Sequence, residues 1–382
     1  MQFEFATAPR VIFGAGQLRQ LGALAREFGR RALVVTGRDR RRAEPVMSLL
    51  REQGIAALTF SDPSEPTFGT IDEGVRFANL EHCEFVIGFG GGSALDTGKA
   101  VAAMLTNEGE LLDYLEVVGR AKPLVKPSAP FTAVPTTAGT GSEVTRNAVL
   151  ASPEHRAKVS LRSRSMLPTV ALVDPELTYD VPPAITAGTG LDALTQLIEP
   201  YVCLRANPLT DALCADGIRR AARSLRAAFE NGRDAAARQD MAVASLFGGL
   251  ALTNAGLGAV HGFAGPIGGM FPAPHGAICA ALLPCVMETN LRALRLRQPA
   301  SQVLRRYEEV ARLLTGNSVA DDGVAWVRQL IEDWGIPHLG SHGITREHTA
   351  ELVDKAAQAN SMKANPIELT RAELAGILES AL

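Results

Sequence analysis

Cysteine is scarce and unpatterned in this 382-residue chain. The five present, Cys83, Cys203, Cys214, Cys279 and Cys285, are odd in number, widely scattered and never in CxxC spacing. That argues against a disulfide framework or a thiolate metal site, and for small core residues in a reducing compartment. An excess of either charge is also lacking. A net charge of -3 offers no electrostatic reason to expect nucleic acid or an anionic membrane as partner. The N-terminus, MQFEFATAPRVIFGAG, has no basic stretch leading into an apolar one, so no secretory signal is expected and a cytoplasmic protein is. Neither GxGxxG nor a P-loop occurs, which removes the commonest nucleotide fingerprints. The sharpest local lack is of charge: from Met241 to Met287 there is no Asp, Glu, Lys or Arg. Apolar pieces of that run, such as MAVASLFGGLAL and AICAALLP, are broken by Gly, Pro, Asn and His. They fall short of the roughly 20 apolar residues of a membrane span, so buried core is the expectation.

What is present is an ordinary globular balance, 46% hydrophobic and 21% charged, in a chain long enough for one large or two medium domains. The first half alternates short β-branched runs with helical stretches. RALVVTG, IAALTF, FVIGFGGGS, FTAV and VALVDPEL read as strands; PVMSLLREQG and IDEGVRFANLE read as helices between them. Such alternation predicts a parallel, doubly wound sheet. After VPPAIT the texture turns to long Ala-, Leu- and Arg-rich helical segments, as in LTDALCADGIRRAARSLRAAFENG and VLRRYEEVARLLTG. The expected organisation is an α/β domain over 1–183 and an all-helical domain over 184–382.

Two loops in the first half have the composition of phosphate cradles. In GFGGGSALDTGKA (88–100) a buried strand ends in three consecutive glycines, Gly90, Gly91 and Gly92, and a helix begins behind Ser93. Exposed N–H groups and the positive helix end suit a diphosphate, whereas a merely glycine-rich strand–helix turn is the plainer reading. Asp96 and Lys99 are expected on the first helical turn. PTTAGTGSEVT (135–145) offers five hydroxyl residues, Thr136, Thr137, Thr140, Ser142 and Thr145, around two glycines; capping by Ser142 or Thr140 is the plainer alternative. In the second half, GTGLDALTQLIEP (188–200) is expected to open a helix after a Gly-Thr-Gly turn, with Asp192 and Gln196 four apart on one face. A first-turn carboxylate needs no function, since the helix dipole favours it. HGFAGPIGGMFPAPHG (261–276) places His261 and His275 in the uncharged run. A buried imidazole needs a hydrogen bond or a metal. With Asp192 the pair forms a two-histidine, one-carboxylate set suited to ferrous iron or catalytic zinc with positions left for substrate.

Together these residues resemble the iron-containing (group III) alcohol dehydrogenase family, which includes zinc glycerol dehydrogenases and is related to dehydroquinate synthase. The resemblance spans most of the chain: FGAG, GGGSALDTGK, PTTAGTGSEVT, Lys158 in HRAKVSL, GLDALTQLIEPYV, and VHGFAGPIGGMFPAPHGAICAALLP, in that order. It implies an N-terminal half that binds NAD or NADP, a helical half that holds a divalent metal, iron first and zinc as the alternative, and catalysis in the cleft between. It implies that Gly90, Gly91, Gly92 and Ser93 hold the diphosphate, and that Asp96, Thr136, Thr137, Ser142 and Lys158 contact nicotinamide, ribose or phosphates. The family's metal ligands fall on Asp192, position 196, His261 and His275. The implied reaction is hydride transfer between a small alcohol or aldehyde and nicotinamide, the metal lowering the alcohol's pKa, in a homodimer or larger homo-oligomer.

The sequence departs from the family at two places. The usual second ligand on the Asp192 helix is histidine, and here it is Gln196, a weaker donor; this bears on metal affinity and identity. A further family histidine, four residues after the first of the pair, is replaced by Gly265, which removes the expected proton relay. After RALVVT, where NAD-preferring relatives often carry an aspartate, stands Gly37, followed by Arg38, Arg40, Arg41 and Arg42. Loss of the carboxylate and gain of guanidiniums predict NADP use at least comparable to NAD; an exposed basic loop is the alternative, and Asp39 lies within it. Three other functions remain open: a metal-independent reductase like the maleylacetate reductases, a nucleotide-binding protein without catalysis, and a lyase like dehydroquinate synthase. The uncharged 241–287 segment favours a neutral alcohol or aldehyde over the lyase's charged substrate.

Overall fold

The computed structural model describes residues 2–61 and 65–382, which form two compact units. One comprises Ala6–Thr137 and Gly141–Asp180; the other comprises Val181–Leu382 with a short N-terminal stretch and Ala138–Thr140.

The first unit is built on a six-stranded parallel sheet of order β1-β8-β5-β4-β2-β3. Its strands are β1 (Arg10–Phe13), β2 (Arg31–Thr36), β3 (Ala56–Ser61), β4 (Phe85–Gly90), β5 (Phe131–Pro135) and β8 (Val170–Val173). Alternate residues serve opposite faces: Leu33, Val35 and Val86 pack into one core, and Ala32, Val34, Phe85 and Ile87 into the other. A sheet covered on both sides has no wet face, which is why these strands read as continuous apolar runs. The helices Phe68–Leu80 and Gly92–Met104 line the first face, and Leu21–Ala25 and Glu44–Glu52 the second. The edge strand β1 and the antiparallel hairpin of β6 (Asn147–Ser152) with β7 (Ala157–Arg162) add to the strands the sequence signals.

The chain runs outward from β2 to β3, then returns to place β4 on the other side of β2 before continuing to β5. The order therefore reverses between β2 and β4, and the carboxyl ends of strands at such a reversal are where open α/β sheets bind ligands.

The second unit is helical, built around Pro183–Val202, Pro208–Glu230, Ala235–Asn254, Ala259–Met270 and His275–Arg297, with further helices behind. The helix Ala235–Asn254 turns by 96° into Ala259–Met270. Gly256 supplies the left-handed backbone, φ +100°, at that break. His275–Arg297 is long and apolar enough to cross a membrane by composition, yet most of it is buried against its neighbours. The missing charge of 241–287 thus reflects interior packing.

Two local expectations need correction. There is no Gly-Thr-Gly turn before Asp192: the helix begins at Pro183, and Gly188 and Gly190 lie inside it. Close packing explains these glycines. A Cβ on Gly190 would lie 2.2 Å from Leu225 Cδ1, and one on Gly276 would lie 2.4 Å from the Gly188 carbonyl oxygen. Asp192 therefore stands on the third turn, beyond the reach of a helix-terminus explanation. Asp96 and Lys99 likewise occupy the second turn of Gly92–Met104, because that helix starts at Gly92.

Candidate functional site

In the parallel-sheet unit the glycine-rich loops meet at the order reversal. β4 ends at Gly90, and the helix behind it starts at Gly92 with no side-chain cap at Gly91, which leaves its first N–H groups for a ligand. A Cβ on Gly90 would lie 3.6 Å from the amide nitrogen of Gly37, and one on Gly91 would lie 3.5 Å from Thr137 Oγ1. The Thr136 N–H donates to the Gly90 carbonyl at 2.9 Å. Gly37, Gly90, Gly91, Thr136 and Thr137 are thus neighbours, with Gly92 and Ser93 in the first helical turn and Ser93 exposed.

Asp96 and Lys99 stitch the second loop to this helix. Ser142 Oγ donates to Asp96 Oδ1 at 2.6 Å, and Asp96 Oδ2 accepts from the Val149 N–H at 2.9 Å. Lys99 is fully buried and donates to the Ser142 carbonyl, Thr145 Oγ1 and the Asn147 carbonyl at 3.0, 2.7 and 2.6 Å. Burial lowers its pKa, with Asp96 and Glu143 opposing. Glu143, also buried, is pushed up to about 7 by desolvation, against its own backbone N–H and Lys99. Lys158 stands on β7 of the hairpin, ion-paired with Glu65. In the basic loop after β2, Asp39 caps the next turn and is ion-paired with Arg41 at 2.9 Å, while Arg40 and Arg42 are exposed.

In the helical unit three helices bring Asp192, His261 and His275 together. His261 Nε2 lies 3.4 Å and His275 Nε2 3.6 Å from Asp192 Oδ1. That oxygen is buried and makes no hydrogen bond, a costly state for a carboxylate unless a cation meets it. Burial favours the neutral carboxyl, but His275, His261 and Gln196 outweigh it and hold Asp192 at about 2. Burial would also lower His261; the Cys279 sulfur, Asp192 and Glu199 reverse this and raise it well above the usual imidazole range. His275 is raised in the same way, chiefly by Cys279 and Asp192 against burial. The His261 side chain is 9% exposed and that of His275 34%, so access is from the His275 side.

Two participants are absent from the expected set. Glu199 Oε2 accepts from His261 Nδ1 at 2.6 Å while its Oε1 accepts from the Val260 N–H at 2.7 Å. This carboxylate–imidazole pair leaves Nε2 as the donor atom towards Asp192. Its signal was available, since Glu199 lies two turns beyond Asp192 on one helix face. The second is Cys279, whose Sγ is 3.6 Å from His275 Nε2 and 3.9 Å from His261 Nε2. Asp192, His261, His275 and Cys279 offer four donor atoms all within 4.8 Å of one another. Cys279 is a buried core residue, as expected of the cysteines, and its sulfur also stands beside both imidazoles; the spacing His275-x-x-x-Cys279, one turn apart, carries that signal.

Gln196, one turn beyond Asp192, donates to it, and its own Oε1 is buried without a partner. Position 265 has open space around a notional Cβ, but Pro266 follows within the helix. Helical backbone just before proline crowds a Cβ, which favours glycine.

A buried two-imidazole, one-carboxylate centre in a chain with a doubly wound nucleotide-type sheet defines a metalloenzyme that works with a nucleotide cofactor. Similarity to known proteins narrows the class. Residues 8–175 match the family described as iron-containing alcohol dehydrogenase, and residues 186–382 the C-terminal family of the Fe-containing alcohol dehydrogenases. Alcohol dehydrogenase 4 of Schizosaccharomyces pombe is 36% identical over 89% of this chain and 78% of its own length. The 1,3-propanediol dehydrogenase of Klebsiella pneumoniae is 34% identical over 99% of this chain and 98% of its own. A crystal structure of 1,3-propanediol oxidoreductase superposes with a TM-score of 0.93 at 33% identity, covering 100% of both chains. The chain belongs to the iron-containing alcohol dehydrogenase family.

Proposed function

We propose that the protein is a metal-dependent, NAD(P)-linked alcohol dehydrogenase that interconverts a small alcohol and its aldehyde. The observation that carries this reading is the buried Asp192 Oδ1, without a hydrogen bond and faced by two imidazole nitrogens. These residues fit a divalent ion: a carboxylate and two imidazoles, one of them oriented by Glu199, on three helices. When bound, the ion supplies Lewis acidity that favours loss of the alcohol proton and polarises the aldehyde carbonyl. Asp192, His261 and His275 hold it; Glu199 fixes the His261 tautomer; Gln196 orients Asp192.

Gly90, Gly91, Gly92 and Ser93 receive the diphosphate on free helix N–H groups, and Thr136 and Thr137 flank them. Asp96 and Ser142 hold the second loop in place for the nicotinamide half, and the same reading counts Lys158 among the cofactor contacts. The absence of an aspartate at Gly37 supports use of NADP at least as readily as NAD. The five free cysteines support a cytoplasmic setting, and a homodimer or larger homo-oligomer belongs to the same proposal.

The test is chelation. Metal-free protein should lose alcohol-dependent NAD(P) reduction and regain it with ferrous iron or zinc; full activity without metal refutes the reading in favour of a metal-independent, maleylacetate reductase-like enzyme.

A further inference from the structure

We infer that the Cys279 thiolate is a protein ligand of this centre, which biases the site towards zinc. The inference rests on the metal-dependent reading above and concerns the ligand set within it. Geometry is the main support. A tetrahedral ion with Zn–N and Zn–O of about 2.0–2.1 Å and Zn–S of about 2.3 Å sets N···O separations at about 3.3–3.4 Å and N···S separations at about 3.6 Å. The protein presents N···O separations of 3.4 and 3.6 Å and N···S separations of 3.6 and 3.9 Å. These four separations need only tenths of an ångström of adjustment, and all four donor atoms lie within 4.8 Å of one another.

Chain architecture explains why Cys279 arrives there. It follows His275 by one helical turn, so both side chains leave the same face of one helix. Gly276, beside His275, lets that helix approach the carbonyl of Gly188 on the Asp192 helix. Gln196 donates to the neighbouring carboxylate through its amide N–H, which makes it a positioning residue for Asp192, while its Oε1 stays free of other partners.

Binding would proceed with loss of the thiol proton to solvent, so that one carboxylate and one thiolate balance the charge of a divalent ion. A thiolate biases a mixed nitrogen and oxygen set towards zinc, and the alcohol oxygen would join the four protein donors as a fifth neighbour, an expansion that catalytic zinc accepts. The substitution of histidine by glutamine at 196 is thus compensated from a different helix.

X-ray absorption on the zinc-loaded, full-length wild-type protein tests this without any variant. One sulfur at about 2.3 Å beside nitrogen and oxygen neighbours is expected. In the cobalt(II) form a near-ultraviolet thiolate-to-cobalt charge-transfer band should be present, should vanish in Cys279→Ser, and should persist in Gln196→Ala and in the buried control Cys285→Ser. Cys279→Ser should also weaken zinc by more than the 10–100-fold typical of an outer partner, in a chelator competition. An ion surrounded only by nitrogen and oxygen, or a band that survives Cys279→Ser, overturns the ligand assignment and leaves the metal-dependent reading standing. Failure of the wild type to take up a stoichiometric ion overturns both.

Discussion

Glu143 offers the most quantitative test of how the PTTAGTGSEVT loop is held. It is 2% exposed, and its pKa stands at about 7 against an ordinary 4.5 because burial removes the carboxylate from water. Lys99 and the backbone offset only part of that cost. In the unfolded chain the group loses its proton near 4.5; in the folded protein it keeps it to about 7. Its contribution to stability is therefore complete below pH 4.5 and is lost as pH rises through 7. A difference of about two and a half units at about 1.36 kcal/mol each amounts to about 3 kcal/mol at pH 8. Glu143→Gln keeps the shape of the protonated side chain and cannot ionise. Urea unfolding of both proteins at several pH values between 4.5 and 8 is the assay. The wild type should lose about 3 kcal/mol relative to Glu143→Gln across that window. Parallel stability curves for the two proteins would show that the carboxylate is not desolvated as argued.

Other consequences can be checked alongside it. Glu199→Gln removes the carboxylate that orients His261 and should weaken metal binding about 10–100-fold in a chelator competition; unchanged affinity would separate Glu199 from the centre. Gly190→Ala drives a Cβ into Leu225 and should cost about 1–3 kcal/mol in urea unfolding. Gly376→Ala, in a helix and with nothing within 4 Å of the added carbon, should instead gain about 0.5–1 kcal/mol; equal effects at the two positions would contradict the packing argument. Steady-state kcat/KM for NADP should at least equal that for NAD, and Gly37→Asp should shift preference towards NAD; a large native preference for NAD would refute the role given to the Gly37 position.

Much of the parallel-sheet unit was legible because its signals are local. A doubly covered strand must be apolar throughout, so RALVVT and FVIGFG announce themselves, and glycines directly after such a strand mark where the backbone turns into a helix. The hairpin containing Lys158 was not legible, since AKVSLR alternates exposure and has little β-branched content. The glycines before Asp192 misled for a definite reason. Glycine serves both turns and close helix contacts, and only the position of Leu225 distinguishes the two. Cysteine counting likewise ranked all five thiols together, although one stands a single turn from a histidine.

The sequence by itself determined the strand–helix alternation, the change of texture near residue 183, the two glycine- and hydroxyl-rich loops and the identity of Asp192, His261 and His275 as groups needing partners. Tertiary structure decided which partners they have. The donors come from helices separated by some seventy residues along the chain, and their meeting depends on glycine-mediated helix contacts that no local spacing encodes. Glu199 became the brace of His261, and Cys279 a neighbour of both imidazoles, only through that packing. Residue type sets what a side chain can donate; the packed core sets where the donated atom stands.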